Sequence, residues 1–278
     1  MQRLLLPILV LLAPCAAAQG VPAPSPVAAE PVTIPGPEGV PLRALLVRRA
    51  GTAPGIPVIA LHGCNGMGGP ERPQRLSPRE ADWAARLSAA GHPVLFPDSF
   101  ASRGLGEACG VRGFPAGPRV RRADAHAAAA WAQEQPWAAK GGALLLGWSH
   151  GGSTVLAAVA EPLPPGLLRA AIAFYPGCGE SRREAGWTPG APLLMQLGAS
   201  DDWTPPASCL ALAAAHPGRI EADLYPGANH GFDAPALVLR TRSLPDGRVV
   251  TFGTEPLARD AARSRVAAFL AAHGGAAP

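Results

Sequence analysis

A serine flanked by glycines two residues to either side, Gly147-Trp148-Ser149-His150-Gly151-Gly152, follows the apolar run Ala143-Leu144-Leu145-Leu146. Between an expected strand and an Ala/Val-rich helical stretch, that G-x-S-x-G pattern reads as a tight elbow presenting Ser149 at a sheet edge. The turn crowds the backbone on both sides of the serine, so glycine suits positions 147 and 151. A serine hydroxyl attacks a carbonyl only when a base removes its proton. Of seven histidines, His230 is the candidate base, in Tyr225-Pro226-Gly227-Ala228-Asn229-His230-Gly231-Phe232, ahead of the expected C-terminal helix. His62 and His150 lie beside the expected oxyanion elements and point wrongly for this task, whereas His92, His126, His216 and His273 read as solvent-facing. The acid is sought after the strand at 193–197, in Gly198-Ala199-Ser200-Asp201-Asp202-Trp203-Thr204-Pro205. Asp201 is favoured as the first carboxylate able to turn back towards His230. Asp202 suits the next turn or a helix cap, and the choice between them stays open. Charge developing on an attacked carbonyl needs donors set in advance. The backbone N–H groups of His150 and, in His62-Gly63-Cys64-Asn65-Gly66, of Cys64 are the candidates.

These groups are far apart along the chain, so a sheet must gather them. Short apolar runs at 42–47, 58–62, 94–97, 143–148, 170–175, 193–197 and 221–224 read as strands, several buried on both faces. Helical patterns at 80–90, 121–135, 151–160, 207–215 and 256–273 alternate with them. This alternation predicts a three-layer α/β fold with a mostly parallel central sheet and helices on both faces. Two long connections, 99–120 and 232–255, are expected to serve function. The second is expected to hold a hairpin of 236–240 and 249–252 around Pro245-Asp246-Gly247. The short stretch after Tyr175 leaves no room for a large lid domain.

The chain has 278 residues, 48% of them hydrophobic and 16% charged, which is too apolar and too weakly charged for a disordered polymer despite its 33 glycines and 33 prolines. The net charge of +4 is carried by scattered arginines, with Lys140 the only lysine, and 5% aromatic residues supply no interleaved basic stripe. Nucleic-acid binding is therefore not expected. Arg3, the apolar run to Leu12 and the small residues to Ala18 read as a signal peptide, 1–18, cleaved after Ala18 in an Ala16-x-Ala18 context. Cys15 invites lipid anchoring, but Pro14 disfavours it. Residues 19–31 read as a Pro/Ala-rich tether, and 32–278 as one domain. Four cysteines then remain, Cys64, Cys109, Cys178 and Cys209, an even number that fits two disulfides in a periplasmic or secreted protein.

The sequence resembles the dienelactone hydrolase family from about Pro57 onward. The resemblance rests on Leu61-His62-Gly63-Cys64-Asn65-Gly66, Phe96-Pro97-Asp98-Ser99-Phe100 with Arg103-Gly104, the segment 147–152, Gly198 through Pro205, and Gly227 through Phe232. It implies an α/β-hydrolase fold with Asp201 as acid and His230 as base, acting on an ester, lactone or related acyl bond. Founding members use a cysteine nucleophile; this chain has Ser149, so their substrate does not carry over. The implied fold also suggests the pairs Cys64–Cys109 and Cys178–Cys209. Arg103 reads equally as a contact for a substrate carboxylate or as an exposed structural arginine, and Trp148 is a further candidate substrate contact.

Together these readings give an exported serine hydrolase of small-molecule or polymer-borne esters, working without cofactor or metal and without stable membrane insertion after signal cleavage. A peptidase or acyltransferase on the same three residues, or a non-catalytic binding protein keeping the fold, are the alternatives. Natural substrate, acyl-chain length and oligomeric state are not encoded in any motif found.

Overall fold

A computed structural model of the protein describes residues 28–274. The strands are β1 (Glu30–Pro35), β2 (Pro41–Val47), β3 (Val58–Leu61), β4 (Val94–Pro97), β5 (Ala143–Trp148), β6 (Leu168–Phe174), β7 (Leu193–Gly198) and β8 (Ile220–Tyr225), followed by β9 (Arg240–Ser243) and β10 (Val249–Phe252). The helices are α1 (Pro78–Ala89), α2 (Pro118–Glu134), α3 (His150–Val159), α4 (Gly179–Arg183), α5 (Ala207–Ala215) and α6 (Pro256–His273). One eight-stranded sheet has the order β1-β2-β4-β3-β5-β6-β7-β8, while β9 and β10 form a separate hairpin. Pairing is antiparallel at β1–β2–β4 and parallel from β4 to β8. This is the expected α/β-hydrolase architecture with no large lid.

Strand alternation divides the core between the two faces. Ile59, Leu61, Leu145, Leu193 and Met195 pack with alanines of α2, with Val155 and Leu156 of α3, and with Leu212 of α5. Val58, Ala60, Leu144, Leu146 and Leu194 pack on the other face with Trp83 and Leu87 of α1 and with Val266 and Phe269 of α6. A sheet covered on both sides reads as continuous apolar runs, which is why its central strands are legible in sequence. All parallel strands then end along one edge, where the β3, β5, β7 and β8 loops meet.

Three expectations need correction. The tether does not extend to residue 31, because Glu30 and Pro31 already pair with Leu46 and Leu45 in β1. An edge strand exposes one row of backbone groups, and so accepts the prolines that suggested a linker. The hairpin's first strand is β9, not 236–240, since its closing turn runs from Leu244, whose N–H bonds Arg248 O at 2.8 Å. Helix α1 begins at Pro78, earlier than expected. Ser77 and Glu80 form a reciprocal capping box, a Ser-x-x-Glu signal present in the sequence. The signal peptide with its cleavage site after Ala18, Cys15 and most of the tether lie outside the described residues. Among the described residues, no helix is long and apolar enough to cross a membrane.

Candidate active site

Ser149 joins β5 to α3 with φ 56° and ψ −116°, a conformation that costs about 1–3 kcal/mol for a residue with a side chain. Close approach explains the flanking glycines. A Cβ on Gly147 would lie 2.3 Å from Gly151 O, and one on Gly151 would lie 2.0 Å from Leu61 O. The glycines thus let the elbow close and let α3 dock its first turn against the end of β3. Ser149 N–H is anchored to Phe174 O on β6 at 3.0 Å.

His230 and Asp201 come together from the loops after β8 and β7. His230 Nδ1 lies 2.8 Å from Asp201 Oδ2, and both side chains are almost fully buried. The other carboxylate oxygen accepts the N–H groups of Trp203 and Thr204, each at 2.9 Å. Thr204 Oγ1 lies 3.0 Å from Asp201 Oδ2 and 3.2 Å from His230 Nδ1. With a carboxylate facing Nδ1, that nitrogen carries the proton and Nε2 keeps its lone pair. Asp202 is turned away, and its Oδ1 accepts the Thr251 N–H of β10 at 2.8 Å. The imidazole sits between the rings of Tyr175 and Trp203, with centroids 4.5 and 4.8 Å away. His230 O also accepts Gly253 N–H at 3.0 Å, which ties the hairpin to the histidine loop. Among the described residues the Ser149 hydroxyl makes no hydrogen bond to His230. The two side chains instead share the wall of one cavity of about 680 Å³.

Cys64 lines that cavity, and among the described residues neither its N–H nor that of His150 bonds a backbone acceptor. Behind them lies Arg121, with no exposed surface. Its guanidinium donates to His62 O at 2.9 Å and to His150 Nδ1 at 2.7 Å, linking the two segments. Burial, with Arg121 beside it, pushes His150 down to about 3, so its ring is a neutral acceptor. His62 is fully occupied as well, facing Gly63 O through Nδ1 and accepting the Ser99 N–H through Nε2. Its own value is well below the ordinary one, because of burial and then Arg121. His92 and His126 are not solvent-facing, since their rings bond Ile56 O and Ala158 O.

The two expected substrate contacts are structural. Arg103 grips Asp124 on α2 with bonds of 2.8 and 2.7 Å and also donates to Ser99 O. Trp148 is buried and donates its indole N–H to Asp233 Oδ2 at 2.9 Å. As a β5 residue next to the elbow it is adjacent to the site in sequence only, because strand alternation turns it inward. Asp233 was not singled out in the sequence. It also accepts Trp83 Nε1 at 2.8 Å and Tyr175 OH at 2.6 Å, a fully buried carboxylate with three donors. Burial holds the Tyr175 phenol well above its ordinary value, so it remains a donor. The structure contains the disulfides Cys64–Cys109 and Cys178–Cys209, the pairing implied by the resemblance. Among the described residues no cluster of His, Cys, Asp and Glu could hold a metal ion.

The sequence profile described as the dienelactone hydrolase family matches residues 77–273. No curated protein matches the sequence. Solved structures with a similar fold include a dienelactone hydrolase-like promiscuous phosphotriesterase from metagenomic libraries. Its TM-score is 0.66 at 17% identity, over 90% of this chain and 100% of that one. An esterase from Pyrococcus furiosus gives 0.62 at 16%, over 90% and 94%. Thermogutta terrifontis esterase 2, phosphorylated by paraoxon, gives 0.60 at 20%, over 90% and 96%.

Proposed function

The chain belongs to the dienelactone hydrolase family, and on that premise we propose that it is an exported serine hydrolase cleaving carboxylic ester or lactone bonds through an acyl-enzyme. The observation that carries this reading is the Asp201–His230 pair at 2.8 Å beside an elbow serine in the same cavity wall. His230 Nε2 takes the Ser149 proton as Oγ bonds to the acyl carbon, and Asp201 stabilises the resulting imidazolium. The carbonyl oxygen becomes an oxyanion, which receives hydrogen bonds from the Cys64 and His150 N–H groups. When the intermediate collapses, the bond to the leaving oxygen breaks and His230 returns the proton to it. Water then enters by the same route, deprotonated by His230, and releases the acid and free Ser149. With a lactone, acid and alcohol leave as one hydroxy acid.

Export is part of the proposal. The supporting observation is the pair of disulfides, which persist in oxidising compartments such as the periplasm or the cell exterior. The test is turnover of a chromogenic short-chain ester by the parent and by Ser149→Ala, Asp201→Asn and Asp202→Asn. Ser149→Ala should lose about 10⁶-fold in kcat and Asp201→Asn about 10⁴-fold. Asp202→Asn should stay within about threefold, since its carboxylate only braces the hairpin. Equal turnover in the parent and Ser149→Ala would refute the mechanism.

A further inference from the structure

The segment after the histidine loop forms part of the cavity wall: residues 234–237 line it, and so do residues 240–242. Val238 and Leu239, between them, do not. They are 80% and 57% exposed, and Leu257 in the first turn of α6 is 82% exposed. The backbone that carries them is fixed. Leu237 N–H donates to Thr254 Oγ1 at 2.7 Å, and Thr254 N–H donates to Leu237 O at 2.8 Å. Thr254 Oγ1 donates to Ala234 O at 2.8 Å, and Arg259 Nη1 of α6 donates to Pro235 O at 3.1 Å. A Cβ on Gly253 would lie 2.5 Å from Leu239 Cα, so the glycine is what lets this segment lie flat against residues 253–254.

Strapped at 234, 235 and 237, the segment holds two consecutive branched apolar side chains in water at the lip of the cavity. Apolar surface kept exposed beside a site marks a place where apolar material docks. The charges around the lip are matched in pairs, Arg242 with Glu107, Arg248 with Asp246 and Arg259 with Asp260. Arg240 lies over the Phe252 ring, with its Cζ 5.0 Å from the centroid. A surface for anionic phospholipid needs a cluster of unpaired cations, whereas here the unpartnered groups are hydrocarbon. We propose that Val238, Leu239 and Leu257 form a docking lip for a water-insoluble, uncharged ester phase, from which single ester groups enter the cavity beside Ser149. The proposal rests on the hydrolase reading above and makes its substrate an aggregated ester rather than a dissolved one. The occupant follows from position, since the lip shares its backbone with the wall of the cavity that Ser149 and His230 also line. Exposed side chains without this task would leave turnover indifferent to the physical state of the ester.

The test compares dissolved phenyl acetate with tributyrin below and above its solubility limit. The parent's tributyrin rate should rise by about tenfold or more once droplets form. Val238→Ser with Leu239→Ser should lose that rise and keep kcat/KM for phenyl acetate within about threefold, as expected for exposed side chains outside the cavity wall. If the double variant fails to fold, Val238→Ser decides by the same comparison. A parent without the rise, or a variant that keeps both activities or loses both equally, overturns the proposal. Flotation with triolein droplets reads docking without turnover: the parent should float, and the double variant should stay in the aqueous phase. Equal flotation of the two, or stronger capture of the parent by phosphatidylcholine vesicles than by triolein droplets, overturns it. If no ester is turned over and no serine is labelled by a fluorophosphonate, the hydrolase reading falls on its own. Flotation then decides the lip, and a parent that does not float overturns it.

Discussion

Arg121 holds two loops with one side chain, and its charge sets the state of the ring it touches. Burial brings the guanidinium down to about 9, opposed by Asp124 and Asp98, so it is a cation at neutral pH. The His150 ring against it stays neutral down to about 3. In the unfolded chain the same ring takes up a proton near pH 6.5. Between these values the unfolded state binds more protons, so stability that is intact above about 6.5 is lost as pH falls towards 3. His150→Asn keeps an acceptor for Arg121 but cannot protonate, and it should move the acid-unfolding midpoint down by about half a pH unit or more. Tryptophan fluorescence during acid titration reads this; an unchanged or higher midpoint would count against the strut. The placement of Ser149, Asp201 and His230 after strand ends of one sheet was legible, because the proposed nucleophilic chemistry demands those residue types there. Tyr175 and Asp233 were not legible, since a sequence does not say which polar side chain a fold will bury. Arg103 stayed open between a substrate contact and a structural role for the converse reason: its place near a motif says nothing of Asp124, which claims it from α2.

Among the elements, β9–β10 and the two disulfides supply what the sheet alone does not. The hairpin reaches the acid loop through Thr251 and Asp202, the histidine loop through Gly253, and the Cys109 loop through an Arg242–Glu107 ion pair. Its turn and second strand were legible, but its first strand was placed too early, because the polar β9 sequence Arg240-Thr241-Arg242-Ser243 carries no strand alternation. The central strands stood out because both their faces are apolar. The disulfides differ in what they restrain. Cys64 lines the cavity, whereas neither Cys178 nor Cys209 does. Removing the second bridge by Cys178→Ser with Cys209→Ser opens a separation of 31 residues, a loss of about 3–4 kcal/mol in the chain-entropy picture. Calorimetry should show Tm lower by roughly 10 °C with 25 °C turnover largely kept. Removing Cys64–Cys109 should lower turnover as well as Tm. The reverse pattern would show that the proposed oxyanion loop is not pinned by its bridge.

For the whole molecule, the fold is a device that brings residues 149, 201 and 230 from three loops to one sheet edge. In the proposed mechanism their reactivity belongs to the folded chain and to none of its segments. This much the sequence could imply, since the order of apolar runs dictates which loops share an edge. It could not give the cavity's shape, which depends on the hairpin and on the capped start of α1. The decisive experiment is labelling by a fluorophosphonate, located by peptide mass spectrometry in native protein, in urea-unfolded protein and in Ser149→Ala. Near-stoichiometric modification of Ser149 in the native protein, absent from the other two, is the expected result. Native protein left unlabelled, or labelled at any other residue, would contradict the assignment of this edge as a hydrolase centre.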